Sequence, residues 1–525
     1  MKRISILISF LVCAAGVAFS STPDSVKISA DDYHAILRRL DALEQQVDAR
    51  SGASKVDARS GASKVEAQKQ KMAEENSSET NESTTPAPPF KGGESLEAET
   101  QESKVESQKS RPRSGRLILG GYGEVTAKHC FFSNNYLRYG KNPERFAGDH
   151  YGEFDLPHVV FYIGYDFGKG WSIGSEIEFE HGGTESAIEI EEEEGGEYES
   201  EVERGGEVAL EQFWVQKEFN EYAVIRAGMQ IVPIGGLNAH HEPTQFFGVY
   251  RPEGEFTIMP STWHEVALTF MGKTKSGIAY QAMFLPGLDS DRFNRKNWIK
   301  PGAGSPYEFK LANVFAGAAR IDYTGVEGLR LSLSGYCGNS FRNTLSLSNK
   351  EIDNSTYKNV KGTVSIGSFD FCYDAHNVIV RGSATYGHLS DASAITQYNL
   401  AMRKGSVSSK QVVASDAAAA GVEAGYDFFS LSERLRTKGH KFYVFARYDW
   451  YDSMLRSETS TYAWCGRQRA AVGVNYFPIK EVAVKAEFAY GILNKATLAD
   501  GTKGKLYNDE PQIAIGIVYA GMFKL

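Results

Sequence analysis

The feature that most constrains this chain is a strict alternation of residue character over its last four hundred residues. In VAVKAEFAY, Val482, Val484, Ala486, Phe488 and Tyr490 fall on one face, and Lys485 and Glu487 on the other. KFYVFARYDWY repeats the device, with Phe442, Val444, Ala446, Tyr448 and Trp450 opposite Arg447 and Asp449. AVIRAGM and VIVRGSATY set Arg226 and Arg381 alone among apolar neighbours. A period of two with one apolar face is a half-buried strand. Past the N-terminus no segment carries the long uncharged apolar run that a membrane helix needs. Aromatic-ended apolar faces backed by charged faces predict strands with lipid outside and water inside. The fold class is therefore all-β, a transmembrane antiparallel β-barrel. A mean hydropathy of −0.36 beside 52 glycines, 27 tyrosines and 30 phenylalanines agrees, because lumen-facing residues dilute lipid-facing ones.

The connections alternate as regularly as the residues. Short turns are predicted at 168–170, 220–222, 272–277, 324–328, 376–377, 430–440 and 480–481. Long polar loops occupy 132–152, 184–207, 232–263, 286–308, 339–360, 391–415, 455–468 and 494–507. That pattern gives about sixteen strands over 115–525, with both chain ends on the short-turn side. The alternation weakens around 208–219 and 361–373.

Before the barrel come three segments. Residues 1–20 have a basic start (Lys2, Arg3), an apolar stretch and small residues at the end, the pattern of a secretory signal peptide. In 21–50, Ser29 and Asp32 form a helix-start signal, and Tyr33, Ile36, Leu40, Leu43 and Val47 recur at heptad spacing. This predicts a short periplasmic helix or coiled coil. Residues 51–114 contain VDARSGASK twice in tandem with the preceding residues (47–55 and 56–64) and continue in polar and charged residues, a disordered linker by composition.

Residues 185–207 hold eleven glutamates and one arginine around a Gly-Gly turn. Strand patterns on both sides make this a surface hairpin rather than a tail. Its readings are a solvated repulsive loop, or a contact with divalent cations and lipopolysaccharide. The net charge of −9 argues against nucleic acid as a partner. The four cysteines beyond the leader, Cys130, Cys337, Cys372 and Cys465, show no metal-ligand spacing. Cys337 and Cys372 fall on strands read as neighbours, which leaves a disulfide open beside the reading of four isolated thiols.

The third long loop, VPIGGLNAHHEPTQFFGVYRPEGEFTIMPSTW, is the least loop-like. Phe246, Phe247, Tyr250, Phe256 and Trp263 are poor residues to leave in water. The constriction candidates are His240, His241, Glu242, Arg251 and Glu253. Adjacent histidines lack the i, i+4 spacing of a helical zinc site, so hydrogen bonding is assigned to His240 and His241, and neither a metal nor a catalytic group nor a cofactor is expected. The segment RAGMQIVPIGGLNAHHEPTQFFGVYRPEGEFTIMPSTWHE resembles the phosphate-selective porin O/P-type family. Arg226, Gly228, Val232, Pro233, Gly235, His241, Glu242, Pro243, Phe247, Gly248, Val249, Pro260, Thr262, Trp263 and Glu265 match its pattern. The resemblance implies a trimeric outer-membrane channel for small, often anionic solutes, with a short N-terminal coiled coil and a third loop folded into the lumen.

Anion selectivity needs basic groups along the path, where a narrow low-dielectric pore magnifies their field. The inward bases are Arg226, Lys310, Arg320, Arg330, Arg381, Arg447 and Lys485. They face inward acids in similar number: Asp166, Glu176, Glu178, Glu180, Glu423, Asp427, Asp449 and Glu487. The expected function is diffusion of small hydrophilic solutes or ions across a Gram-negative outer membrane by a homotrimer in the lipid bilayer, without a chemical step. An anion or phosphate preference stays open. The rival readings are a barrel-anchored adhesin using the acidic loop, and a barrel hydrolase built on His240, His241 and Glu242.

Overall fold

A computed structural model describes residues 115–139, 143–188, 202–260, 262–305, 307, 309–345, 356–402, 408–459, 462–495 and 509–523. The segments expected to be a signal peptide (1–20), a helix or coiled coil (21–50) and a linker (51–114), and residues 189–201 of the expected acidic hairpin, lie outside these residues.

The alternating segments form seventeen strands in one antiparallel sheet: β1 (Arg116–Cys130), β2 (Tyr151–Asp155), β3 (His158–Gly168), β4 (Trp171–Ile188), β5 (Val202–Asn220), β6 (Ala223–Ile231), β7 (His264–Lys273), β8 (Ile278–Pro286), β9 (Phe315–Val326), β10 (Leu329–Asn339), β11 (Thr363–Ala375), β12 (Val378–Leu389), β13 (Asp416–Asp427), β14 (Lys441–Arg456), β15 (Gly466–Ile479), β16 (Val482–Leu493) and β17 (Asp509–Met522). β2 and β3 both pair with β1 and are halves of one stave, interrupted at Leu156 and Pro157. Proline has no N–H to give a ladder, so a break there is expected. The barrel thus has sixteen staves. β17 pairs with β1 from Gly120↔Met522 to Cys130↔Gln512, which closes the sheet and leaves no edge.

The two faces of the wall divide as the alternation predicts. Ile513, Ile515 and Ile517 on β17, Val444 and Tyr448 on β14, and Val484 and Phe488 on β16 are exposed on the outside. Arg447, Asp449, Lys485 and Glu487 are buried on the inside. An apolar exterior around a charged interior is the arrangement a lipid solvent selects. Among the described residues no helix is long and apolar enough to cross a membrane.

The connections at the long-loop end differ from the expectation of polar external loops. Val232, Ile258 and Trp263 from the third loop, Phe293 and Trp298 from the fourth, and Ile395 and Tyr398 from a helix in the sixth are almost wholly buried in one apolar cluster. That helix, Ala392–Leu400, is the longest in the described residues. The cluster also takes inward residues of the wall, such as Ala318, Tyr336, Ile366 and Tyr451. Residues of the fourth and sixth loops, expected to be polar and external, join those of the third loop in an internal core, because a barrel this wide has room for more than its own side chains. The turn 428–440 contains a short 3-10 segment and a helical turn. The four cysteines among the described residues are thiols; β10 and β11 are neighbours, but Cys337 lies opposite Ser365 and Cys372 opposite Arg330.

Candidate functional site

The third loop, 232–263, runs between β6 and β7 and carries two short helices, α1 (Gly236–Ala239) and α2 (Glu253–Ile258). Its backbone is held to inward side chains on three sides of the barrel. On β16, Lys485 Nζ donates to the carbonyls of Phe246 and Gly248, each at 2.8 Å, and to that of Pro243. On β13 and β16, Glu423 accepts from Phe247 N at 3.2 Å and Glu487 from Val249 N at 3.3 Å. On β12, Arg381 donates to the Gln245 carbonyl. On β9, Arg320 donates to the Gly235 carbonyl at 2.9 Å. Beyond the closing seam, Tyr162 on β3 donates to Glu242 at 3.0 Å, and Tyr250 donates to Thr126 on β1 at 3.1 Å. A segment tied to β1, β3, β9, β12, β13 and β16 lies across the lumen.

Apolar contacts complete the seating. Phe247 is stacked on Phe445 with ring centroids 5.3 Å apart and is covered by the Arg381 guanidinium at 4.7 Å. Lys485 sits 4.3 Å over the Phe246 ring. Gly248 passes so close to the wall that a Cβ would meet the Arg447 guanidinium and Glu487 Oε2 at 2.7 Å. Only glycine allows that approach.

Within the loop, Glu255 on α2 accepts from Gly236 N at 3.0 Å, Leu237 N at 2.9 Å and Asn238 N at 3.2 Å. It thereby binds the free N–H groups at the start of α1. Burial nevertheless pushes its carboxyl up to about 7. Glu253 behaves oppositely. Burial works against its charge, but Arg469 at 2.5 Å and the Tyr451 hydroxyl at 2.6 Å hold it below the ordinary carboxylate value. His240 and His241 are both kept neutral by burial and nearby arginines, His241 down to about 3.

The basic candidates separate into groups. Arg320, Arg330, Arg381, Arg447 and Lys485 come together against the third loop. Four of them are also paired with acids: Arg320 with Asp322 at 2.8 Å and Asp370 at 2.9 Å, Arg330 with Asp370 at 3.4 Å, Arg381 with Glu423 at 2.6 Å, and Arg447 with Asp449 at 3.0 Å. Arg226 stands apart on β6, bonded to Gln216 at 2.8 Å and lying 4.0 Å over the Trp214 ring. Lys310 precedes β9 and pairs with Glu265 at 3.0 Å. Of the loop candidates, His240 contacts Arg330, His241 bonds the Asn238 carbonyl, Glu242 takes the Tyr162 hydroxyl, Arg251 reaches the Tyr122 hydroxyl at 3.4 Å, and Glu253 pairs with Arg469.

A cavity remains between the loop and the β10–β14 wall. Its described lining includes Arg330, Arg381 and Arg447 against Glu255, Asp370, Glu423 and Asp449, with His240 beside them. Three guanidinium groups facing four carboxylates leave it without a surplus of positive charge. Sequence reasoning missed Arg469, although the alternation of Arg467, Arg469 and Ala471 in GRQRAAVGV carried the same signal as Arg447. Glu255 had no signal, because its partners are backbone groups gathered by the loop's own fold.

No family model matches the chain. A protein of Aquifex aeolicus (strain VF5), described as uncharacterized, is 28% identical over 285 residues, 53% of this chain and 54% of its own length. The chain thus spans about half the length of the curated relative it matches. Among solved structures, the OmpF of Salmonella typhi in complex with daunomycin aligns at TM-score 0.43 and 13% identity, covering 77% of this chain and 97% of that one. The outer membrane channel DcaP of Acinetobacter baumannii aligns at 0.42 and 11%, covering 79% and 100%. A loop-deletion mutant of the Vibrio cholerae outer membrane protein OmpT aligns at 0.40 and 13%, covering 78% and 100%.

Proposed function

We propose that this protein is an outer-membrane porin that passes small hydrophilic solutes or ions by diffusion, with segment 232–263 as its constriction. The observation that carries the reading is the attachment of that segment to inward residues on several sides of a closed barrel. A long loop left outside would not need buried lysine and carboxylate anchors in the lumen. Selection then rests on size and on the charges left along the path, and no chemical step is involved. Pairing of Arg320, Arg330, Arg381 and Arg447 with acids supports weak discrimination between anions and cations. The third-loop motif favours a second reading, an anion or phosphate preference; the same resemblance supports a homotrimer with its N-terminal segment in the periplasm.

Single-channel recording in a planar bilayer under a KCl gradient, with phosphate titrated in, tests both. A reversal potential near zero without phosphate block is expected. An anion-side potential with phosphate block would replace it with the phosphate reading. Folded barrels that conduct nothing would remove the channel reading altogether.

A further inference from the structure

The β4–β5 wall contains a group of buried side chains that neither the constriction nor the barrel's closure uses. β4 and β5 pair in regular register from Trp171↔Lys217 to Glu176↔Gln212, and then slip, so that Ile177 lies opposite Leu210. Glu211 is the extra residue of a β-bulge. The consequence is that Glu211 and Gln212, adjacent in sequence, both point into the barrel, while Leu210 and Phe213 on either side are exposed. A bulge re-aims a side chain at the expense of one ladder position, and bulges gather at functional sites. Here the re-aimed side chain is a glutamate with no exposed surface, set beside the Thr262 side chain and the carboxyls of Glu176 and Glu178, and neither of its oxygens has a hydrogen-bond partner of good geometry.

Glu176 on β4 stands beside it, 2% exposed, with one oxygen taken by the Gln212 amide and the other, Oε1, without a partner. Above them the third loop contributes His241, 4% exposed. Its Nδ1 lies 3.0 Å from the Asn238 carbonyl, which can only accept, so the proton is on Nδ1 and Nε2 presents a lone pair. That Nε2 has no partner either. One ligand atom each from Glu176, Glu211 and His241 lie within 4.8 Å of one another. Burying carboxylates without donors is costly unless something neutralises them. Glu178, also buried with an unpartnered oxygen, and Glu242 add further carboxyl groups, and Arg251 is a guanidinium among them.

We propose that Glu176, Glu211 and His241 bind a divalent transition-metal cation of the zinc or manganese type, which ties the third loop to the β4–β5 wall. A backbone carbonyl fixing the other imidazole nitrogen is the usual support of a metal-bound histidine. An imidazole among carboxylates suits zinc or manganese better than the all-oxygen sets of calcium and magnesium. Metal–ligand bonds of about 2.1 Å permit ligand atoms at most about 4.2 Å apart. The 4.8 Å limit therefore asks for closure by some tenths of an ångström, within reach of carboxylate rotamers. The ion would join two strands and a loop. It would do for this wall what Lys485 and Glu487 do for the other, independently of which solutes pass.

The test uses the full chain refolded in detergent, with the fold checked by heat-modifiable electrophoretic mobility. Protein stripped with a chelator after folding is dialysed against ZnCl2 or MnCl2 in excess CaCl2, which occupies the exposed glutamates of the acidic hairpin, and bound metal is counted by mass spectrometry. A single tightly held equivalent of Zn2+ or Mn2+ is expected, lost or weakened at least about tenfold in Glu211→Gln and in His241→Ala, and kept in His240→Ala. Cobalt substitution supplies a second readout that needs no comparison of stabilities. Visible d–d absorption is expected from the wild type and absent from His241→Ala. Folded wild type that retains neither Zn2+ nor Mn2+ would overturn the proposal and leave the carboxyls neutralised by protons. Metal retained unchanged in both variants would also overturn it, as binding elsewhere.

Discussion

A single buried side chain, Lys485, shows how this barrel treats charge. Its ammonium has three donors, and three carbonyls of the third loop receive them. Such a group is stable inside only because each donor is used. The surrounding arginines follow the same rule, each spent on a carboxylate or a loop carbonyl. Replacing Lys485 with methionine keeps the length and removes the donors, leaving three loop carbonyls with no partner. A loss of about 3 kcal/mol is expected from such orphaned groups, read as a lower urea midpoint of the refolded barrel. The same variant is expected to show larger and noisier single-channel currents, since the loop loses its anchor on β16.

At the level of the element, the third loop is organised by its own short helices before the wall holds it. Glu255 ties α2 to the start of α1, and its raised pKa makes that tie sensitive to pH. The ordinary value is 4.5 and the folded value about 7, so the docked loop carries a proton that the undocked loop releases between those limits. Its contribution is therefore fully present below pH about 4.5 and is lost as pH rises through about 7. Glu253, shifted the other way, loses its contribution only on acidification below the ordinary carboxylate range. His240 and His241 stay neutral in the folded loop, so their contribution is lost as pH falls below the ordinary histidine value of 6.5 and regained as it rises. From pH 5 to 8 the wild-type urea midpoint is expected to lose the Glu255 contribution while it gains that of the two histidines. Glu255→Gln, which keeps an acceptor and cannot titrate, is expected to gain stability with rising pH more steeply than the wild type; an equal pH dependence in the variant would assign the opposing contribution to another group.

For the whole molecule, the closed sheet separates the load-carrying wall from what projects beyond it. The acidic hairpin extends β4 and β5 as far as Ile188↔Val202, past a slip in register after Glu180. Joining 184 to 208 by a short turn would leave every pair from Trp171↔Lys217 to Phe179↔Val208 in place. Deletion of 185–207 is expected to leave the urea midpoint within about 0.5 kcal/mol of wild type, as for a surface change away from the core, and single-channel conductance unchanged. Loss of binding to a partner cell or surface on that deletion, with conductance intact, would support the adhesin reading instead.

The sequence by itself determined the barrel. Period-two alternation carries the direction of each side chain, and a lipid exterior rewards every apolar residue on one parity, so the wall was legible stave by stave. The inward placement of Arg447, Lys485, Glu423 and Glu487 follows from that parity alone. What lies inside the wall was not legible. Apolar residues in the loops at 287–314, 340–362 and 390–415 have no period, and only closure of the barrel shows that they share one core. The weak alternation near 208–219 was a trace of the bulge at Glu211, visible as an irregularity but not as a direction. Which charge meets which depends on residues hundreds of positions apart, such as Arg381 with Gln245, or Lys485 with Phe246. Those pairs are set by shear and closure of the sheet, which local patterns do not encode and which only the tertiary structure decides.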